Sequence, residues 1–120
     1  MNIGFTGHRD KIANEESILR IEEQYPGATW IHGGADGFDS QVNEIALKLG
    51  KVEGETLIVI RPDYRNFKAS VAPIIRNKTI VDMSELMYAC WDGRKKGGTF
   101  QAKNYAIDKG VPVKYLTPKE

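Results

Sequence analysis

Short apolar runs alternate with amphipathic segments along the whole chain. Five of the runs have the length and the β-branched and aromatic content that are typical of strands. The predicted strands are Ile3–Phe5, Thr29–His32, Thr56–Ile60, Leu86–Trp91 and Pro112–Leu116. The third run shows no alternation of apolar and polar residues, so we expect a strand that is covered on both faces.

Helical periodicity fills the spaces between these runs. The sequence predicts helices over residues 14–24, 37–49, 70–83 and 99–109. In the second of them, one apolar stripe is formed by Phe38, Val42, Ile45, Ala46 and Leu49. Gly50 and Gly110 follow the second and fourth helices, where glycine commonly ends a helix.

Strands that alternate with helices at this spacing predict βαβ units, a parallel sheet and right-handed crossovers. The predicted fold class is α/β: a Rossmann-like, open five-stranded parallel sheet with helices on both faces, in a single domain over residues 1–120. In such sheets, ligands bind beyond the carboxyl ends of the strands. We therefore expect four segments to converge on one crevice: Thr6–Arg9, Gly33–Asp36, Arg61–Asp63 and Gly97–Thr99.

Composition and charge narrow the classes of function. With 120 residues, 41% of them hydrophobic, the chain can build one ordinary core. A single cysteine excludes an intrachain disulfide and a cysteine-cluster zinc site, and we predict neither a metal nor a cofactor. A net charge of +1 argues against a nucleic-acid partner, although it leaves room for a local basic patch. The sequence has no bilayer-spanning apolar run and no signal-peptide pattern, so we expect a soluble, cytoplasmic protein without a membrane partner.

The segment Gly97–Thr99 leads from a predicted strand into a predicted helix and follows three cations, Arg94–Lys96. Glycines let a ligand approach the backbone closely, and the free N–H groups of a helix N-terminus bind anions. Gly97, Gly98 and Thr99 therefore predict a cradle for phosphate or another anion. In the alternative interpretation, the segment is a glycine-rich turn whose Thr99 caps the helix.

Gly33 and Gly34 open a second glycine-rich segment, which also contains Asp36 and Asp39. A carboxylate favours the start of a helix but repels phosphate. The two aspartates therefore either cap the second helix or contact the ribose hydroxyls or the base of a ligand.

Three residues at the end of the first strand, Gly7, His8 and Arg9, are further candidates for ligand binding. The guanidinium of Arg9 suits phosphate. His8 is compatible with a catalytic base, a base-stacking side chain or a structural role. Arg76 and Asn77, in the third predicted helix, complete the set of candidates.

Taken in order along residues 2–115, these motifs resemble the SLOG superfamily of Rossmann-like proteins. The segments that carry the resemblance are Thr6–Arg9, Gly33–Asp39, Arg76–Asn77, Asp92–Gly93 and Gly97–Thr99. The superfamily includes Smf-type DNA-processing proteins and the "lonely guy" phosphoribohydrolases. The resemblance implies a nucleotide-binding domain that forms a homodimer or a higher homo-oligomer.

The sequence departs from the phosphoribohydrolases at their catalytic glutamate, which acts there together with an arginine of the preceding helix. Arg76 can be matched to that arginine, but Ala102 stands at the position of the glutamate. A catalytic carboxylate would have to come from Asp36, Asp39 or Asp92. Whether the protein is an enzyme is therefore left open.

Three functions follow from this set of residues. The first is binding or sensing of a nucleotide or nucleotide-derived ligand in the crevice at the strand ends. The second is hydrolysis of an N-glycosidic or phosphoester bond in a nucleotide. The third, which the charge balance disfavours, is binding of single-stranded DNA.

Overall fold

The structure, a computed structural model, describes all 120 residues. Five strands and four helices alternate along the chain. They are β1 (Asn2–Gly7), α1 (Glu15–Gln24), β2 (Thr29–His32), α2 (Phe38–Lys48), β3 (Leu57–Val59), α3 (Ala72–Met83), β4 (Leu86–Cys90), α4 (Gly98–Lys109) and β5 (Val113–Leu116).

The five strands form one parallel sheet in the order β3-β2-β1-β4-β5. Helices α1 and α2 pack on one face of the sheet, and α3 and α4 pack on the other. The predicted fold class is thus confirmed. Because the strand order reverses at β1, the carboxyl ends of β1 and β4 flank a crevice, which is where open α/β sheets hold their ligands.

The core on the α1/α2 face is built around Phe5 of β1. Its ring lies 5.0 Å from that of Trp30, 6.0 Å from that of Tyr88 and 6.4 Å from that of Phe38, measured between centroids. Such tilted and offset aromatic contacts add to the stabilisation from burial. The carboxyl end of β1 is therefore held rigidly, and Gly7 there pairs in register with the fully buried Cys90 of β4.

Strand β3 differs from its prediction. It is shorter, Leu57–Val59, and it lies at an edge of the sheet, where Ile58 and Val59 are half-buried. Leu57 is fully buried in the core on the α1/α2 face, and Ile58 packs half-buried against the core on the other face, so the strand is covered on both faces but less completely on the second. Thr56 belongs to the preceding turn, where its Oγ1 accepts a hydrogen bond from the N–H of Val52.

The remaining element boundaries lie close to their predictions. Strand β4 ends one residue early because Trp91 turns away and its indole N–H donates to the carbonyl of Arg94, at 2.8 Å. Gly50 and Gly110 lie at the ends of α2 and α4, as predicted. None of the four helices is long and apolar enough to cross a membrane.

Candidate functional site

A crevice of about 450 Å³ opens at the carboxyl ends of β1 and β4. Only one of the 15 residues that line it is hydrophobic. Nine of the residues that the sequence singled out line it: Gly7, His8, Arg9, Asp39, Arg76, Asn77, Gly97, Gly98 and Thr99. Loops after β1 and β4 and the N-terminal turns of α3 and α4 thus meet there.

Four other candidates do not line the crevice: Gly33, Gly34, Asp36 and Asp92. Gly33 lies behind its wall, where a Cβ atom would collide with the guanidinium of Arg76. Gly34 faces a smaller neighbouring cavity of about 240 Å³, together with Arg61. Asp36 is exposed and lines neither cavity. The expected convergence of four segments is therefore incomplete, because the segment that begins at Arg61 faces the neighbouring cavity.

Positive charge dominates the crevice. Arg9, Arg76, Arg94 and Lys96 line it, whereas Asp10 and Asp39 are the lining carboxylates. From the sequence, Arg94 and Lys96 are identified only as neighbours of the glycine segment. Thr6 and Ala35 belong to segments expected at the crevice, whereas Asp10 and Pro73, which also line it, were not predicted.

Arg76 and Asp39 are buried charges that share the peptide groups around Gly33. The Nη1 of Arg76 donates to the carbonyl of Gly33, and its Nε donates to Oδ1 of Asn77 at 2.8 Å. Burial lowers the pKa of Arg76, while the charge of Asp39 opposes that shift. A guanidinium stays protonated in proteins, so Arg76 brings a permanent positive charge to the crevice. Its other N–H groups make no hydrogen bond to the chain.

Asp39 organises the loop between β2 and α2. Its Oδ2 accepts hydrogen bonds from the N–H groups of Gly33 and Ala35, both at 3.2 Å. Its Oδ1 is buried without a hydrogen-bond partner. Burial raises the pKa of Asp39, against the opposing effects of His32, the two N–H groups and Arg76. Of the two roles expected for this residue, helix capping is absent, because α2 has no side-chain cap.

His8 is held by Asp92. Its Nε2 lies 3.3 Å from the backbone nitrogen of Asp92 and 3.1 Å from the Oδ1 of the same residue. The two contacts need opposite states of Nε2, because an unprotonated nitrogen accepts from the N–H and a protonated one donates to the carboxylate. Burial lowers the pKa of His8 and so favours the neutral ring, although the negative charge of Asp92 acts in the opposite direction.

Arg94 engages the Asp92 carboxylate. Its Nε lies 3.0 Å from both carboxylate oxygens, and its Nη2 lies 2.6 Å from Oδ2. The same Nη2 also reaches Oδ1 of Asp10, at 3.3 Å. Hydrogen bonds from Arg94 hold the pKa of Asp92 far below its usual range, so this carboxyl stays ionised at neutral pH and cannot act as a proton donor. The Oδ1 of Asp92 also accepts from the backbone N–H of Arg94 at 3.0 Å, as in an Asx turn, for which an aspartate in a turn is the sequence signal.

Helix α4 begins at the crevice without a side-chain cap. Its N-cap residue is Gly97, with φ +90° and ψ 178°, and Thr99 lies inside the first turn. The alternative in which Thr99 caps the helix is therefore wrong. Backbone N–H groups in the first turn of a helix have no intrahelical partner. Because Gly97 and Gly98 have no side chains, the backbone here is open to a ligand.

The side chains present suit anion binding better than a known catalytic scheme. No group of three or more His, Cys, Asp or Glu side chains comes together as a metal ion would need. Ala102 is buried in α4 and offers no carboxylate. The crevice therefore offers cations, amide donors and one neutral imidazole.

Comparison with known proteins gives no family for this chain. No protein-family model matches it, and no curated protein matches its sequence.

Proposed function

We propose that this protein binds a nucleotide or a nucleotide-derived small molecule in the crevice and holds it through phosphate. One observation carries the proposal: Arg9, Arg76 and Lys96 line the same crevice as the uncapped N-terminus of α4. A helix N-terminus and several cations attract the same kind of ligand, an anion.

A nucleotide suits the crevice better than free phosphate does. The volume of the crevice, about 450 Å³, is within the usual range for sites that hold small organic ligands. Asp39 and Asn77 add an acceptor and an amide beside the cations. Such groups recognise hydroxyls, which a ribose carries next to its phosphate.

Thermal unfolding with a panel of nucleotides and ADP-ribose derivatives tests this function. A ligand at a hundred times its Kd stabilises the folded state by about 2.7 kcal/mol, which raises the Tm of a domain of this size by several degrees. Mass spectrometry of molecules released from the denatured protein would identify a co-purified ligand. No shift with any ligand at millimolar concentration would contradict the proposal.

Arg9→Ala gives a sharper test. Loss of a charge-assisted hydrogen bond costs about 1.5–3 kcal/mol of binding, roughly a tenfold to hundredfold loss of affinity. Arg20→Ala is the matched control, since Arg20 is an exposed arginine on α1 that does not line the crevice. Equal affinities of the two variants, both folded, would remove Arg9 from the site.

Hydrolysis of the bound nucleotide is the second candidate function, favoured by the contact of Asp92 with His8, which lines the crevice. Nucleoside 5′-monophosphates would release free base if the N-glycosidic bond is cleaved, and nucleoside if the phosphoester is cleaved. We expect His8→Gln to abolish release and Asp36→Asn, outside the crevice, to preserve it. Release that survives in His8→Gln would contradict this mechanism.

A further inference from the structure

The connection between β3 and α3 is the most exposed part of the chain near the crevice. It runs over residues 60–71 and is here called the β3–α3 loop. Apart from Ile60 and Pro62, every residue in it is exposed. Connections in α/β units are usually two to six residues long, and longer ones are commonly functional. A loop of this length at the carboxyl end of the sheet therefore needs an explanation.

The β3–α3 loop displays two aromatic side chains. Tyr64 is 56% exposed and Phe67 is 42% exposed, although large aromatic residues gain most when they are buried. The loop also carries three exposed cations, Arg61, Arg65 and Lys68. Aromatic rings interleaved with positive charge are typical of surfaces that hold nucleobases.

The loop is nevertheless ordered by its own hydrogen bonds. The Asp63 carboxylate accepts from the N–H groups of Arg65 and Asn66, at 3.1 and 3.3 Å, and from Nδ2 of Asn66 at 2.7 Å. The N–H of Phe67 donates to the carbonyl of Asp63, at 3.2 Å. The backbone around Tyr64 is thus a defined turn, and its ring is presented to solvent.

The β3–α3 loop runs from the neighbouring cavity to the crevice. At its start, the guanidinium of Arg61 lies against Gly34, where a Cβ atom would be 2.6 Å from Nη1. At its end it enters α3, whose Pro73 and Arg76 line the crevice. The Tyr64 hydroxyl also acts on the pKa of Arg76, after burial and Asp39. The loop therefore adjoins the crevice on the side of α3, the helix that carries Arg76.

The crevice and the loop have complementary chemistry. The crevice supplies charge but no Phe, Tyr or Trp ring, and only one of its 15 lining residues is hydrophobic. A nucleobase gives up little solvation when it leaves water for the face of an aromatic ring. Every base can stack on such a face, because every base has a π-face of its own. The loop offers that face at the rim of a crevice that suits phosphate.

We propose that the Tyr64 ring stacks on the base of the small molecule whose phosphate occupies the crevice. This inference rests on the proposed function and adds to it that the ligand carries a purine or pyrimidine base. Tyr64 then separates nucleotides from sugar phosphates, which have the same phosphate and ribose but no ring to stack.

Calorimetric titration with two kinds of ligand tests the inference: the four ribonucleoside 5′-monophosphates, and ribose 5-phosphate, which lacks the base. In Tyr64→Ala we expect the tightest nucleotide to bind roughly tenfold more weakly, with unchanged affinity for ribose 5-phosphate. Tyr64→Phe keeps the ring and is expected to retain nucleotide affinity. Tyr115→Ala, which removes a tyrosine of similar exposure from β5, is the matched control.

The outcomes separate this inference from the proposed function. If neither ligand binds the wild-type protein, the proposed function fails and the inference fails with it. If both ligands bind but Tyr64→Ala leaves nucleotide affinity unchanged, or weakens both ligands equally, the inference alone is overturned. If an oligothymidylate binds far more tightly than any nucleotide and loses that affinity in Tyr64→Ala, the loop serves single-stranded nucleic acid and the inference is likewise overturned.

Discussion

At the scale of single residues, the charged side chains of the crevice are tied to backbone groups and to one another. The Asp39 carboxylate accepts hydrogen bonds from two backbone N–H groups. Arg76 donates to the carbonyl of Gly33, and Arg94 donates to the carboxylate of Asp92. The sequence identified Asp39, Arg76 and Asp92 as candidates but not these partnerships, because they depend on how turns from distant segments meet. Asp92 in particular is occupied by Arg94, which leaves it a poor candidate for the missing catalytic carboxyl.

His8 makes the stability of the protein depend on pH. Its pKa in the folded state lies below that of an unfolded histidine, so the unfolded chain binds more protons as the pH falls through that range. The stability that His8 contributes is therefore present above the pKa that His8 has in the unfolded chain, and it is lost as the pH falls below that value. Asp92, Asp10 and Arg94 are the charged groups that act on its ring.

Denaturant unfolding at a series of pH values checks this expectation. Between about pH 7.5 and about pH 5, the free energy of unfolding should fall more steeply for the wild-type protein than for His8→Gln. Parallel curves for the two proteins would show that His8 titrates alike in the folded and unfolded states.

The two glycines at the start of α4 should differ in what they tolerate. Gly97 has φ +90° and ψ 178°, a region that only glycine adopts readily, so Gly97→Ala should cost about 1–3 kcal/mol of stability. Gly98 lies within the helix, where a Cβ atom would meet only the Asn77 amide at 3.2 Å. We expect the denaturation midpoint of Gly98→Ala to stay near that of the wild-type protein, and equal losses in both variants would contradict this assignment.

At the scale of elements, periodicity and glycine placement were enough to predict all nine strands and helices. What they could not predict was the environment of β3. Its apolar content resembles that of β4, but the strand order places β3 at an edge and β4 inside the sheet. Strand order is decided by how whole units pack, so the composition of a strand does not reveal whether it lies inside the sheet or at an edge.

Lys51 joins three elements at the opposite end of the sheet from the crevice. Its buried Nζ lies 2.6 Å from Oε1 of Glu22 on α1, donates to the carbonyl of Ala28 at 2.6 Å, and lies 4.9 Å from the Trp30 ring of β2. Lys51→Ala leaves a buried carbonyl without its donor, which should cost about 1–3 kcal/mol of stability.

Lys48→Ala is the control for that variant in urea denaturation. Lys48 makes an exposed ion pair with Glu15 at 3.8 Å, and the loss of such a pair changes stability by less than about 1 kcal/mol. A Lys51→Ala protein as stable as Lys48→Ala would mean that Lys51 does not hold these elements together.

At the scale of the whole molecule, the sequence predicted where the site lies better than which residues line it. The rule that ligands bind at the carboxyl ends of strands located the crevice, and nine of the candidates line it. The rule does not say which loop turns inward. Asp36 points into solvent and Arg61 faces the neighbouring cavity, whereas Arg94 and Lys96 line the crevice.

The homo-oligomer implied by the resemblance stays a prediction. Both edges of the sheet, β3 and β5, are unpaired within the chain, and Tyr115 on β5 and Val52 near β3 are about half exposed. We expect sedimentation velocity to give a species of about twice the 13.4 kDa chain mass at micromolar concentration. A single species at the mass of one chain across all concentrations would contradict this expectation.

The reactivity of the Cys90 thiol reports on the opening of strands at the centre of the sheet. It is the only cysteine, it is fully buried, and burial raises the pKa of its thiol to about 11. Because the thiolate is the form that reacts, an alkylating reagent should modify Cys90 only when the strands around it open. Cys90 also pairs with Gly7 at the edge of the crevice. The rate of alkylation would therefore follow ligand occupancy without any label being introduced, and a ligand held there should slow it.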